Sequence, residues 1–171
     1  MSAFLRRIQT IIDKLSHGCF VFACFCCFTL TLLTFEQVIA RYFLSASSMA
    51  LQELEWHLFG LLILLSAAHG LKSDTHVRVD LLYNRFRPST RRLIDAFYLL
   101  IIALPAMGLI VYYGIDYVNE AFQTGEISPN PDGLRFRWLI KASIPFGFLL
   151  IALQVIAELT KLFVQDPTHE L

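Results

Sequence analysis

The sequence predicts an all-α integral membrane protein with four transmembrane helices, and three observations support this fold class. Hydrophobic residues make up 56% of the 171 positions and charged residues only 16%, which is too apolar for an ordinary soluble domain. Four apolar runs reach the roughly 20 residues that a bilayer core of about 30 Å requires. The loops between these runs differ in basic residues, so a net charge of zero conceals an asymmetry that orients the chain. We therefore expect one membrane domain over residues 1–171.

The N-terminal part of the chain is predicted to contain two elements. Residues 1–16 place apolar side chains at helical spacing with basic residues off that stripe, which indicates an amphipathic helix lying in the membrane surface. Residues 18–40 form the first span, which is too long for the apolar region of a signal peptide, so we expect the N-terminal segment to be retained. Glu36 and Arg41 lie near the far end of this span, where they can reach water or pair with each other.

The other three spans are predicted at residues 50–71, 93–115 and 139–162. The connection over residues 45–50 is short, so the first two spans should form an antiparallel hairpin. Pro105 lies near the centre of the third span, where its missing amide is expected to bend the helix.

The orientation follows from the basic residues. Residues 72–92 carry six Lys or Arg against two Asp, whereas the two loops on the opposite side are poorer in cations. The positive-inside rule places residues 72–92 in the cytoplasm. An even number of spans then leaves both termini cytoplasmic, with residues 41–50 and 116–138 on the other side of the membrane.

One pair of ionisable residues is a candidate site. Glu53 and His57 are four residues apart and share a helix face, so they suit a proton relay or an ion site, since ionisable groups inside a membrane are costly. The competing interpretation is a structural cluster at the helix ends, because the hairpin brings Arg41 within reach of Glu36, Glu53 or Glu55. The shallow depth of the pair favours the structural interpretation.

Five further residues are candidates for structural or interaction roles. His76, Arg78 and Asp80 follow the second span directly and are typical of a charged helix end. Trp138 belongs to an aromatic belt at the membrane interface. Lys141 lies just inside the fourth span, where we expect it to reach outward or to pair with an acidic neighbour.

The residue types disfavour several kinds of chemistry. All four cysteines, Cys19, Cys24, Cys26 and Cys27, lie in one apolar run, which favours small apolar side chains in lipid or at a helix interface over a disulfide or zinc site. A haem anchor needs paired histidines at matching depth on facing helices, and His57 and His69 lie near opposite ends of one helix. We therefore predict no catalytic residues, no cofactor and no metal, and no basic patch suggests nucleic acid.

Five features follow one another around the four predicted spans: Arg41-Tyr42-Phe43, Gln52-Glu53-Leu54, His76-Val77-Arg78-Val79-Asp80, Trp138 and Pro145. In this order they resemble the small membrane subunit, the DctQ-type subunit, of tripartite ATP-independent periplasmic (TRAP) transporters. The resemblance covers Glu36 to Glu158. The strings Glu53-Leu54-Glu55-Trp56-His57 and Arg137-Trp138-Leu139-Ile140-Lys141 are similar to the branch labelled for mannitol or chloroaromatic compounds. The chain departs from the family pattern at Ser66 to Gly70, where a glycine often precedes small residues.

The resemblance implies a subunit of the bacterial inner membrane without enzymatic activity. It would act as a scaffold for a large multi-span subunit during sodium-coupled uptake of small organic anions, commonly carboxylates. A periplasmic substrate-binding protein and membrane lipid are the other implied partners, and residues 41–50 and 116–138 would be periplasmic. Two alternatives stay open: a membrane anchor of a redox complex that uses haem or quinone, and an independent channel or transporter formed by copies of this chain.

Overall fold

A computed structural model describes residues 3–73 and 86–164, which are helical apart from short connections and contain no strand. Four helical stretches are long and apolar enough to cross a membrane, which confirms the predicted number of spans. The elements are α1 (Ala3–Phe43), α2 (Met49–Lys72), α3 (Pro88–Phe97), a π-helix (Tyr98–Ala103), α4 (Leu104–Gln123) and α5 (Arg137–Val164). The third span comprises α3, the π-helix and α4.

The first helix is longer than expected, because residues 1–16 and 18–40 were predicted as separate elements and no break divides them. α1 has 41 residues. At 1.5 Å per residue it is about 60 Å long, roughly twice the thickness of a bilayer core. A single seam explains the continuity, since buried or half-buried residues recur at alternating spacings of four and three on both sides of residue 17. They are Ile12, Ser16, Cys19, Ala23, Cys26, Leu30, Leu33 and Gln37.

The helices pack in the order α1, α2, α5, α4. α1 with α2 and α4 with α5 form the two most extensive contacts, while α2 also packs along α5. Small residues allow close approach: a Cβ atom on Gly147 would lie 2.8 Å from Leu64 Cβ, and one on Gly114 would lie 3.2 Å from Pro145 Cβ. One core cluster joins α1, α2 and α5 through Ala23, Leu65, Ala68 and Leu150.

The irregular part of the third span lies just before Pro105. The π-helix ends at Ala103, and the Leu104 amide donates to the carbonyl of Leu99, five residues earlier. A proline cannot donate to the preceding turn and its ring crowds the carbonyl four residues back, so a wider turn accommodates it. A bend was predicted at Pro105, and what the structure shows is a π-helix in the turn before it.

Candidate functional site

The end of the bundle that carries the connections 44–48 and 124–136, called the loop end, is organised around the Glu53 carboxylate. Oε1 accepts hydrogen bonds from the Ser128 hydroxyl and from Asn130 Nδ2, the latter at 2.8 Å. Oε2 accepts one from the Leu134 backbone amide at 2.8 Å. We call these four residues the Glu53 cradle. Three donors from one loop occupy both oxygens of a carboxylate on α2, so Glu53 fixes the loop against the helix.

The loop sequence provides the turns that bring these donors together. The Gly133 amide donates to the Asn130 carbonyl at 3.1 Å, and the Ser128 amide to the Leu134 carbonyl at 3.2 Å. Asp132 adopts a positive φ of 59°, which Asp tolerates better than most residues. A Cβ atom on residue 133 would lie 2.9 Å from Glu53 Oε1 and overlap the Ser128 side chain. Only glycine at position 133 lets the backbone approach the carboxylate this closely.

A second carboxylate ties the same loop to α5. Glu126 pairs with Lys141, and Arg137 Nε lies 3.7 Å from Glu126 Oε1. The Lys141 ammonium also lies 3.9 Å from the centre of the Tyr117 ring on α4. The expectation that Lys141 pairs with an acidic neighbour is therefore correct. Trp138 packs edge-on against Phe122 at 5.4 Å, joining α5 to α4 beside this ion pair.

Arg41 does not take part in these contacts, in contrast to the predicted cluster. Within residues 3–73 and 86–164, Arg41 and Glu36 are exposed and neither forms an ion pair. Glu53 instead accepts three hydrogen bonds from the loop. Glu55 Oε1 is buried without a hydrogen-bond partner in the described part of the chain. His57 is half-buried and lines a groove described below.

Three candidates, His76, Arg78 and Asp80, lie outside the described residues. The aromatic contacts of His69 lie at the opposite end of α2 from His57. The His69 ring stacks on Phe20 at 4.4 Å and lies 5.5 Å from the His17 ring. Sequence reasoning did not pair His17 with His69, because it placed His17 outside the first span. No group of three or more metal-ligating side chains occurs among the residues that the structure describes.

The opposite end of the bundle, called the terminal end, contains a polar cluster that sequence reasoning missed. Asp13 on α1 lies 3.2 Å from Lys72 Nζ on α2 and 3.8 Å from Lys161 Nζ on α5. Gln154 is fully buried; its Nε2 donates to Asp13 at 3.2 Å and to Glu158 at 2.9 Å. We call these five residues the Asp13 cluster.

Two neighbouring contacts extend the Asp13 cluster. The Ser16 hydroxyl donates to Gln154 Oε1 at 2.8 Å, and Gln9 Nε2 donates to the Thr160 hydroxyl at 2.7 Å. The sequence contains a pattern that indicates this cluster. Gln9, Asp13 and Ser16 recur at i, i+4 and i+7, as do Gln154, Glu158 and Lys161, so each helix presents one polar stripe.

Both clusters satisfy their charges within the chain, which suits them to positioning helices and a loop. The fold and these clusters define a four-span helical membrane protein in which polar contacts tie the spans together at both ends. Residues 30–165 match the model of the DctQ component of tripartite ATP-independent periplasmic transporters, and the chain belongs to this family. It is thus a small permease subunit of a TRAP transporter and a membrane component of that system. No curated protein matches the chain.

Proposed function

We propose that the chain is a non-catalytic scaffold that holds the large transport subunit in place during sodium-coupled, binding-protein-dependent uptake of small organic anions such as carboxylates. The Glu53 cradle is the observation that carries this proposal. A carboxylate offers about four acceptor sites, and Glu53 uses three of them for donors of its own chain, which leaves little capacity for an ion or a proton. A carboxylate engaged in this way supports a fixed structure more than a transport step.

The held loop is the proposed contact for the periplasmic substrate-binding protein. Glu53 and Glu126 anchor the loop at two points. Two apolar side chains of the loop, Ile127 and Phe136, are nevertheless 63% and 68% exposed. Exposed apolar side chains on an ordered loop lose little conformational entropy when a partner docks, which favours recognition. The large subunit would pack along the outward apolar faces of the spans.

The orientation and location are part of the same proposal. The basic residues of 72–92 favour the cytoplasm, which makes both termini cytoplasmic and residues 41–50 and 116–138 periplasmic in a bacterial inner membrane. The strings around Glu53 and Trp138 support the mannitol or chloroaromatic branch of the family. Cysteine substitutions at Ile127 and at Lys14, labelled in intact cells with an impermeant thiol reagent, test the orientation. Only position 127 should react.

Reconstituted uptake tests the scaffold role. Proteoliposomes with the chain alone should not accumulate a carboxylate substrate, whereas those that also contain the large subunit should do so when the binding protein and a sodium gradient are present. Glu53→Gln should lower uptake by loosening the loop. Glu120→Gln is the matched control, because it removes an exposed carboxylate at the same end of the bundle. Uptake by the chain alone would overturn the proposal.

A further inference from the structure

A groove of about 900 Å³ opens between α1, α2 and α5. Leu54, Leu61 and Leu65 of α2 form its floor, while the first half of α1 and the beginning of α5 form its walls. From Leu54 to Leu65 the floor runs about 16 Å along the helix axis, close to half of a bilayer core of about 30 Å. The floor is therefore about as long as one leaflet is thick.

Polar side chains that form no hydrogen bond with the described residues lie at the ends of this groove. Arg135 and His57 line it at the loop end, and within the described part of the chain neither side chain forms a hydrogen bond or a short ion pair. Lys14 lines the opposite end and is likewise without such a partner among the described residues. The wall between them is apolar. An amphiphile with an anionic head and an apolar tail complements this distribution of charge.

The loop end of the groove is bounded by chain. Residues 134–136 line it directly above the first residues of α5. A spanning helix from another subunit would have to continue past this segment to reach its own loop. A lipid ends at its headgroup and fits a groove that residues 134–136 line at this end.

We propose that this groove binds one membrane phospholipid, with its phosphate at Arg135 and His57 and its acyl chains along α2 towards Gly18. This inference is independent of the proposed scaffold role. Arg135 is exposed and offers a guanidinium fork that matches a phosphate, and the His57 imidazole supplies a second donor. The second cation at Lys14 makes the direction of the lipid testable.

Two glycines provide a matched pair of variants. A Cβ atom at Gly18 or at Gly108 would meet nothing within 4 Å, so a side chain at either position starts in open space, yet only Gly18 lines the groove. The experiment is native mass spectrometry of the full chain in mild detergent, delipidated and then given dioleoyl phosphatidylglycerol. The wild type and Gly108→Leu should retain one lipid. Gly18→Leu should retain none, and Ala142→Leu, a second groove-filling variant, should repeat this result if Gly18→Leu folds poorly.

Charge variants test the headgroup position. Arg135→Gln should weaken retention about tenfold, as expected for loss of a hydrogen bond to a charged group. Lys14→Gln should leave retention unchanged. Equal lipid retention in Gly18→Leu and wild type would overturn the proposal, as would a loss caused by Lys14→Gln but not by Arg135→Gln. A complex with the large subunit that carries no lipid would assign the groove to a helix of that subunit and would also overturn it.

Discussion

At the loop end of the bundle the Glu53 carboxylate accepts hydrogen bonds from neutral donors, whereas at the terminal end Asp13 lies between two lysines and a buried amide. The first arrangement connects a helix to a loop, and the second connects three helices to one another. The loop has little apolar burial of its own, so its order depends on those few bonds. The helices of the terminal end are also held by the packing of their apolar neighbours.

Substitutions in the two regions should therefore have different effects on the structure. Breaking the Glu53 cradle loosens the part of the loop over residues 128–134, while Glu126 still holds the start of the loop to α5 and the helices stay packed. Replacing Gln154, the buried member of the Asp13 cluster, removes a hydrogen bond from Asp13 and Glu158 and leaves the buried Ser16 hydroxyl without its acceptor inside the helix interface. We expect local consequences at the loop end and global consequences at the terminal end.

The largest effect is expected for Gln154→Leu. Gln154 is fully buried and bonds to Ser16, Asp13 and Glu158, so a leucine removes one partner from each of them. We expect a loss of about 2 kcal/mol in the free energy of unfolding. Reversible unfolding of the purified protein in mixed detergent micelles, followed by circular dichroism, measures it.

Gln52→Leu is the control for Gln154→Leu. Among the described residues its amide donates only to the exposed Ser47 hydroxyl, at 2.9 Å, so its replacement should change stability by less than about 0.5 kcal/mol. Equal destabilisation by the two substitutions would mean that the buried network contributes nothing specific to the terminal end.

The second prediction concerns Glu53→Gln. Glutamine keeps one oxygen but presents an amide group in place of the other, so at least one of the three donors loses its acceptor. Backbone amide exchange over residues 127–134 should become about tenfold faster, since a bond to a charged group is lost. The free energy of unfolding should fall by about 1 kcal/mol or less. Hydrogen exchange followed by mass spectrometry measures the exchange rate of the loop amides. Unfolding in mixed detergent micelles, as for Gln154→Leu, measures the free energy of unfolding.

Gly133→Ala tests whether the same contacts are responsible. The added Cβ atom would push against Ser128 and Glu53 Oε1, so this variant should also speed exchange in the loop. The double variant should exchange no faster than the more strongly affected single one, because both break one unit. Glu120→Gln should have no effect, and additive behaviour of the first two would contradict the cradle as described.

The positions of the spans could be predicted from the sequence, because apolar content and length govern insertion. Residues 50–71 and 139–162 correspond to Met49–Lys72 and Arg137–Val164. The full length of the third span could not be predicted, because the helical stretch Ser89–Gln123 extends beyond the apolar residues 93–115 on both sides. The continuity of α1 depends on a seam that packs against α2, and such packing is a property of the assembled bundle.

The site was predicted in part for a similar reason. The sequence favours a structural cluster over an ion site at Glu53, but it places the partner of Glu53 on the neighbouring helix, and Arg41 forms no such pair among the described residues. The true partners lie about 80 residues away in a loop whose turn geometry decides the contact. The polar stripes of α1 and α5 were visible in the sequence, yet only the crossing of the two helices brings Asp13 to Gln154.

The smallest effect is expected for Lys72→Met, and it distinguishes the ionic part of the terminal end from its buried amide. Lys72 Nζ lies 3.2 Å from Asp13, and the two side chains are 32% and 24% exposed. Partly exposed pairs contribute about 0.5 kcal/mol and are screened by salt. The methionine keeps the apolar stem, so only the charge is lost.

Detergent unfolding at low and at high salt should show a small destabilisation at low salt that disappears at high salt. Gln154→Leu should remain equally destabilised in both, because its lost bonds involve a buried neutral amide. Lys72→Met could instead destabilise the protein as much as Gln154→Leu, and equally at low and high salt. The ion pairs would then stabilise the terminal end as much as the buried amide does, which would contradict the contrast drawn between them.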